Sequence, residues 1–66
     1  MKITVNGKTM QIPEGMDLHR FVYSGKADPD RVILVLNDGV VKSDRWSLTV
    51  LSEGDRVELV SFVGGG

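Results

Sequence analysis

The sequence contains no cysteine and a single histidine, His19. Without cysteine there is no disulfide framework, no thiolate ligand set for zinc or an iron–sulfur cluster, and no thiol nucleophile. One histidine cannot build a two-histidine metal site. Domains of this size often lean on such staples. This chain must hold itself by apolar packing, and with 66 residues it has little to pack, because a chain of this length buries only about 60% of the surface its unfolded form exposes. A basic cluster is missing as well. Eight Lys+Arg stand against nine Asp+Glu, interspersed, for a net charge of −1, without the stripe that marks a nucleic-acid binder. Nor is there a long apolar run: "VILVL" at 32–36 falls far short of the ~20 residues that span a bilayer. The opening "MKITVNG" alternates apolar with polar residues, unlike the continuous block of a secretory signal. The expectation is a cytoplasmic protein of one domain that binds neither nucleic acid nor membrane.

What is present is pattern. In "KITVNGKTMQI" two alternating segments flank Asn6-Gly7, the preferred pair for a two-residue hairpin turn with left-handed backbone at both positions. That turn sets Val5 opposite Lys8 and Ile3 opposite Met10, and it puts Ile3, Val5, Met10 and Ile12 on one face. Pro13 and Gly15 end the hairpin, since proline cannot donate to a ladder and glycine permits a tight turn. Asp17 is placed to cap a short helix through Tyr23 or Ser24, with Leu18, Phe21 and Val22 as its apolar stripe and Gly25 as its stop. Barely two turns long, such a helix cannot persist alone in water and must lie on a sheet. "GKADPD" follows as a loop, and 32–36 as a buried strand. Asp38-Gly39 is expected to turn the chain into a short strand at Val40-Val41. Residues 42–51 read as irregular, with a helical turn near 44–46 and Trp46 filling a gap at the sheet's edge. "EGD" turns into a last strand at 56–63. The order β-β-α-β-β-β describes an α+β fold: a mixed sheet of four to five strands, one short helix on one face, and the last strand parallel to the first at the centre.

Catalytic chemistry finds little support. His19 sits on a two-turn helix over a small sheet that offers little concavity, and functional sites need convergent polar groups, so it reads as a surface or boundary residue. Asp28 and Asp30 are too few for calcium, which takes six to eight oxygens, and read as a solvated turn. "GKADPDR" lacks the glycine before Lys-Ser/Thr that a phosphate loop needs. No self-contained active site emerges, and the chain is expected not to be an enzyme or to carry a cofactor.

The end of the chain is more specific. In "RVELVSFVGGG" side chains alternate across the sheet, so Val57 and Leu59 share one face while Val60 and Phe62 point to the other. One short helix cannot cover both faces of such a sheet. Val60 and Phe62 therefore form a candidate docking patch, unless the 42–51 segment folds over them. Beyond a 1–63 body lies a 64–66 tail of glycine. Glycine loses the most backbone freedom on ordering, so the tail is expected to be flexible, slender enough to enter a narrow slot, and able to deliver its own α-carboxylate.

With "VNG" at 5–7, "PEG" at 13–15, "LN" at 36–37, "RW" at 45–46 and "GDRVELVSFVGGG" at 54–66, the chain resembles the ThiS family of sulfur carriers, within the ubiquitin-like β-grasp superfamily and the MoaD/ThiS group. The absence of proline from "VSFV" sets it apart from the small subunit of molybdopterin synthase. Its helix segment, "MDLHRFVYSGKADPD", is less regular and more interrupted by glycine than the leucine-rich helix of the ThiS family, which leaves its helix length open. The resemblance implies a role in thiamine biosynthesis. A ThiF-like enzyme, holding ATP and Mg²⁺, would adenylate the Gly66 carboxylate. A persulfide from a cysteine desulfurase type of donor would convert it to a thiocarboxylate. A ThiG-like thiazole synthase would take up the sulfur. Gly66 would be the modified residue, with Gly64, Gly65, Phe62 and Val60 meeting the partners, and the free protein a monomer. A carrier serving molybdopterin (MoaD-like) or another pathway, or a plain interaction module on the same fold, are the alternatives.

Overall fold

The computed structural model describes residues 1–25 and 27–61. β1 (Lys2–Val5) and β2 (Lys8–Gln11) form the first hairpin, with Val5 opposite Lys8 and Ile3 opposite Met10 as the turn demands. Asn6 and Gly7 have φ of 50° and 82°, the left-handed pair of a two-residue turn whose twist matches its strands. The open end is closed by the Met1 amine donating to the Ile12 carbonyl at 2.7 Å and the Ile12 N–H donating to the Met1 carbonyl at 2.9 Å. Ile3 and Ile12 are buried. Met10 shares their face by register, yet it is 43% exposed, because β2 is an outer strand and the helix lies over the middle of the sheet.

α1 (Leu18–Ser24) starts where its cap is expected, with Asp17 Oδ1 accepting from the Arg20 N–H at 2.7 Å. Such a cap satisfies one of the donors that a helix leaves open at its first turn. Gly25 ends the helix in extended conformation while its N–H reaches the Val22 carbonyl. Leu18, Phe21 and Val22 are all buried. Main-chain bonds from Leu18 to Thr49 and from Leu51 to Met16, both 2.9 Å, tie the start of the helix to the segment before the last strand. That segment carries η1 (Ser43–Leu48), a 3₁₀ helix packed against α1. It is longer than the single turn expected. Its Trp46 is 2% exposed, and the indole N–H donates to the Val41 carbonyl at 2.9 Å.

β3 (Val32–Leu36) and β4 (Gly39–Val41) make the second hairpin. Its turn falls one residue earlier than the sequence suggested. Asn37 and Asp38 are the central pair, with φ of 49° and 72°, and Gly39 already lies in β4 opposite Leu36. Asparagine and aspartate both tolerate the left-handed region, and Asn37 gains partners there: its Oδ1 accepts from the Arg56 N–H and its Nδ2 donates to Asp55 Oδ1. Gly54, at φ 84°, helps turn the chain into β5 (Arg56–Ser61). The sheet order is β2-β1-β5-β3-β4, with β5 parallel to β1 and antiparallel to β3. The last strand is central, as expected, and the whole core lies between one face of this sheet and the layer made by α1 and η1.

Candidate partner-docking surface

Because β5 runs through the middle of the sheet, its alternation sorts neighbours on both sides. Val57 is 1% exposed beneath α1, and Leu59 packs against the same core. Val60 points the other way and is 50% exposed. The 42–51 segment does not cover it, so that alternative is set aside: the apolar residues this stretch buries, Trp46 and Leu51, belong to the core on the helix side.

Pairing brings Val60 into company that sequence reasoning missed. Ile33 lies directly opposite it on β3, and Val40 lies opposite Val35 on β4. Cross-strand partners share a face, so Ile33, Val35, Val40 and Val60 form one apolar strip across three strands of the open side. Ile33 is 41% exposed and Val40 66% exposed. "VILVL" reads from sequence as a buried strand. Its alternate burial, with Val32 and Leu34 in the core, follows from a helix layer on one side only. The signal was available in the parity of β5: whatever faces away with Val60 must take its antiparallel partner along. Toward the start of β5 the same face turns polar, with Arg56 and Glu58, and Arg56 pairs with Asp38 at 2.9 Å in an exposed ion pair.

The other candidates stay dispersed. His19 is exposed and stacks on Tyr23, ring centroids 4.2 Å apart, at the side of an open groove that Asp30, Val40, Lys42 and Ser43 also line. Asp28 and Asp30 form the expected turn, where Asp28 Oδ1 accepts from the Asp30 N–H at 2.9 Å and the carboxylate lies 3.7 Å from the Arg31 guanidinium. Among the described residues no three His, Cys, Asp or Glu converge on a point that could hold a metal. No helix among them is long and apolar enough to cross a membrane. Phe62, Gly64, Gly65 and Gly66 lie outside the described residues.

The comparisons with known proteins agree with this geometry. The ThiS family model matches residues 3–66, through the glycine end. The chain is 24% identical to the sulfur carrier protein ThiS of Escherichia coli, with both covered in full. It is 33% identical over its whole length to a thiazole synthase of Magnetococcus marinus. The chain spans only 20% of that protein, and the same share of a second thiazole synthase, from Paramagnetospirillum magneticum. The crystal structure of a thiamine biosynthesis protein (ThiS) from Geobacter metallireducens covers the whole chain with a TM-score of 0.87 at 30% identity. A central last strand, a single helix layer and a family match that runs to the final glycine lead to one assignment: this chain belongs to the ThiS family and folds as a ubiquitin-like β-grasp domain.

Proposed function

We propose that this protein is a cytoplasmic sulfur carrier of thiamine biosynthesis, and that its reactive group is the α-carboxylate of Gly66. A carboxylate is a poor acyl donor because oxide is a very poor leaving group. A ThiF-like partner holding ATP and Mg²⁺ would join it to AMP, with release of pyrophosphate. The terminal sulfur of a persulfide, supplied by a cysteine desulfurase type of donor, then displaces AMP. Cleavage of the resulting S–S link by a thiol leaves the thiocarboxylate, whose sulfur passes to a ThiG-like thiazole synthase. The chain itself contributes no catalytic side chain to these steps. It contributes a handle, the Ile33–Val35–Val40–Val60 strip, and a reactive end with no Cβ at Gly64, Gly65 or Gly66 to obstruct a narrow slot.

The observation that carries this reading is that the family match extends through the glycines to residue 66 rather than stopping at the folded body. The two thiazole synthases that contain a segment similar to this chain support a thiazole synthase as the acceptor. Intact-mass measurement on protein from its native cell tests the chemistry: a carrier gains one sulfur in place of one oxygen, and an inert interaction module does not. A chain extended by one alanine beyond Gly66 should fold as before and lose ATP-dependent adenylation, since acyl transfer needs its reacting atoms within ~3–3.5 Å. An extended chain that takes up sulfur at the wild-type rate, without trimming, overturns the proposal.

A further inference from the structure

β1 stops before β5 does, and one side chain bridges the difference. The main chain of β1 last meets β5 where the Asn6 N–H donates to the Val57 carbonyl at 2.9 Å. Asn6 and Gly7 then turn the chain away into the first hairpin, and the next residue on that edge of β5, Leu59, faces no strand. The Asn6 carboxamide takes the missing place. Its Oδ1 accepts from the Leu59 N–H at 2.8 Å, and its Nδ2 donates to the Leu59 carbonyl at 3.4 Å. A carboxamide carries one acceptor and one donor group side by side, as a peptide unit does, so this asparagine supplies a rung of ladder after the backbone has left. Asn37 works similarly at the other end and on the other edge of β5. Its main-chain N–H donates to the Arg56 carbonyl at 2.8 Å and its Oδ1 accepts from the Arg56 N–H at 2.9 Å.

We propose that Asn6 is a positioning residue for carrier chemistry: its carboxamide sets the line along which β5 leaves the sheet, and so the point that Gly66 reaches inside a partner. The inference rests on the carrier reading above. Without this rung, β5 past Val57 is held on one edge only, by β3, as far as the Val32–Ser61 pair. The chain from Ser61 to Gly66 reaches about 17 Å when extended in a slot, at ~3.3–3.4 Å per residue. Turning the strand by about 10° therefore moves its far end by ~3 Å. Displacements of about 1 Å at a reacting atom already cost up to ~100-fold in rate. Of the docking strip only Val60 lies on the stretch that turns, while Ile33, Val35 and Val40 stay on β3 and β4, so the effect falls mainly on the chemical step rather than on binding.

Asn6→Gly removes the carboxamide and keeps a residue that accepts left-handed backbone. Asn6→Asp also tolerates that backbone, and keeps the acceptor for the Leu59 N–H while losing the donor to its carbonyl. The assay is exchange of labelled pyrophosphate into ATP by a ThiF-like adenylating enzyme, run with the full-length chain and each variant, alongside amide hydrogen exchange at Leu59. For Asn6→Gly we expect a fold unchanged by circular dichroism, faster exchange at Leu59, and kcat lower by about 10-fold or more with KM within about twofold. Asn6→Asp should fall between this variant and wild type, which also keeps the test informative if the glycine variant loosens the hairpin. Wild-type kcat for Asn6→Gly, or a loss confined to KM, overturns the inference while leaving the carrier reading standing. A wild-type chain that no adenylating enzyme accepts overturns both.

Discussion

The two faces of one five-stranded sheet are buried very differently. On the helix side Ile3, Val32, Leu34 and Val57 meet Leu18, Phe21, Val22, Trp46 and Leu51 in a single core, and everything that holds the fold by burial is there. On the open side the residues that alternate with them have no layer to meet: Thr4 and Arg56 pair near the start of β5, while Ile33 and Val60 pair near its end. A larger protein would cover both sides. A chain this short has enough apolar residues for one layer only, and the face left over keeps an apolar strip that the fold does not need. Burial and the proposed recognition are thus separated by the parity of a strand, and the two can be mutated separately.

The largest effect should come from placing a charge on the covered side. Val57→Asp puts a carboxylate where the side chain is 1% exposed and where the described residues hold no buried polar group to receive it. Burying an unpaired charge costs several kcal/mol even after relaxation, while a single core of this size rarely supplies more than ~3–5 kcal/mol. The variant is expected to show no cooperative melting transition and no dispersed amide spectrum at 25 °C. A folded Val57→Asp protein would break the comparison at its base.

Trp46→Phe should come next. The ring stays apolar, but the hydrogen bond from the indole N–H to the Val41 carbonyl is lost and a gap opens beside α1. Losing a part-buried hydrogen bond costs about 0.5–1.5 kcal/mol, and the gap adds to it, so chemical denaturation should show a loss of stability in a protein that still folds. No change in the denaturation midpoint would mean that the 3₁₀ segment does not help close the core.

How much of this could be read beforehand depends on how local each cause is. The first hairpin was legible in full because Asn6-Gly7 decides its register within a few residues. The helix was legible because Asp17, the Leu18–Phe21–Val22 stripe and Gly25 are all local signals. The second turn was placed one residue late: "DG" is the stronger short-range signal, but Asn37 is rewarded by Arg56 and Asp55, which lie far along the chain. Met10 and Ile33 have a similar history. Each sits in an apolar pattern, and each is exposed for a reason of topology, the one on an outer strand and the other on the face without a helix. For the candidate site the balance reverses. The alternation of β5 placed Val60 correctly from sequence, whereas Ile33, Val35 and Val40 joined it only once the strand order was known. Phe62 and the glycines rest on the sequence and the family match, because they lie outside the described residues.

The smallest effect on stability, and the sharpest test of the separation, is Val60→Asp. It is the same change as Val57→Asp, in the same strand, three positions along and on the opposite face. Val60 is half exposed, so the new carboxylate keeps its water and escapes most of the desolvation that ruins the Val57 variant. Some cost remains. Aspartate is a poor strand residue, the contact with Ile33 across the ladder is lost, and Glu58 adds a like charge on the same face. These terms are each modest, and together they should lower stability by about 1 kcal/mol or less, leaving a cooperative transition. Partner binding should respond differently. If an adenylating enzyme or a thiazole synthase seats on the Ile33–Val35–Val40–Val60 strip, the carboxylate is dehydrated in the complex without a counter-charge supplied for it. Affinity should then fall by about 10-fold or more, measured as KM for the carrier in the adenylation assay or by titration calorimetry. Unfolding of Val60→Asp would move Val60 into the core and erase the difference between the faces. A folded variant with wild-type affinity for both partners would leave the strip exposed but unused, and would send the search for the docking surface to the polar end of β5.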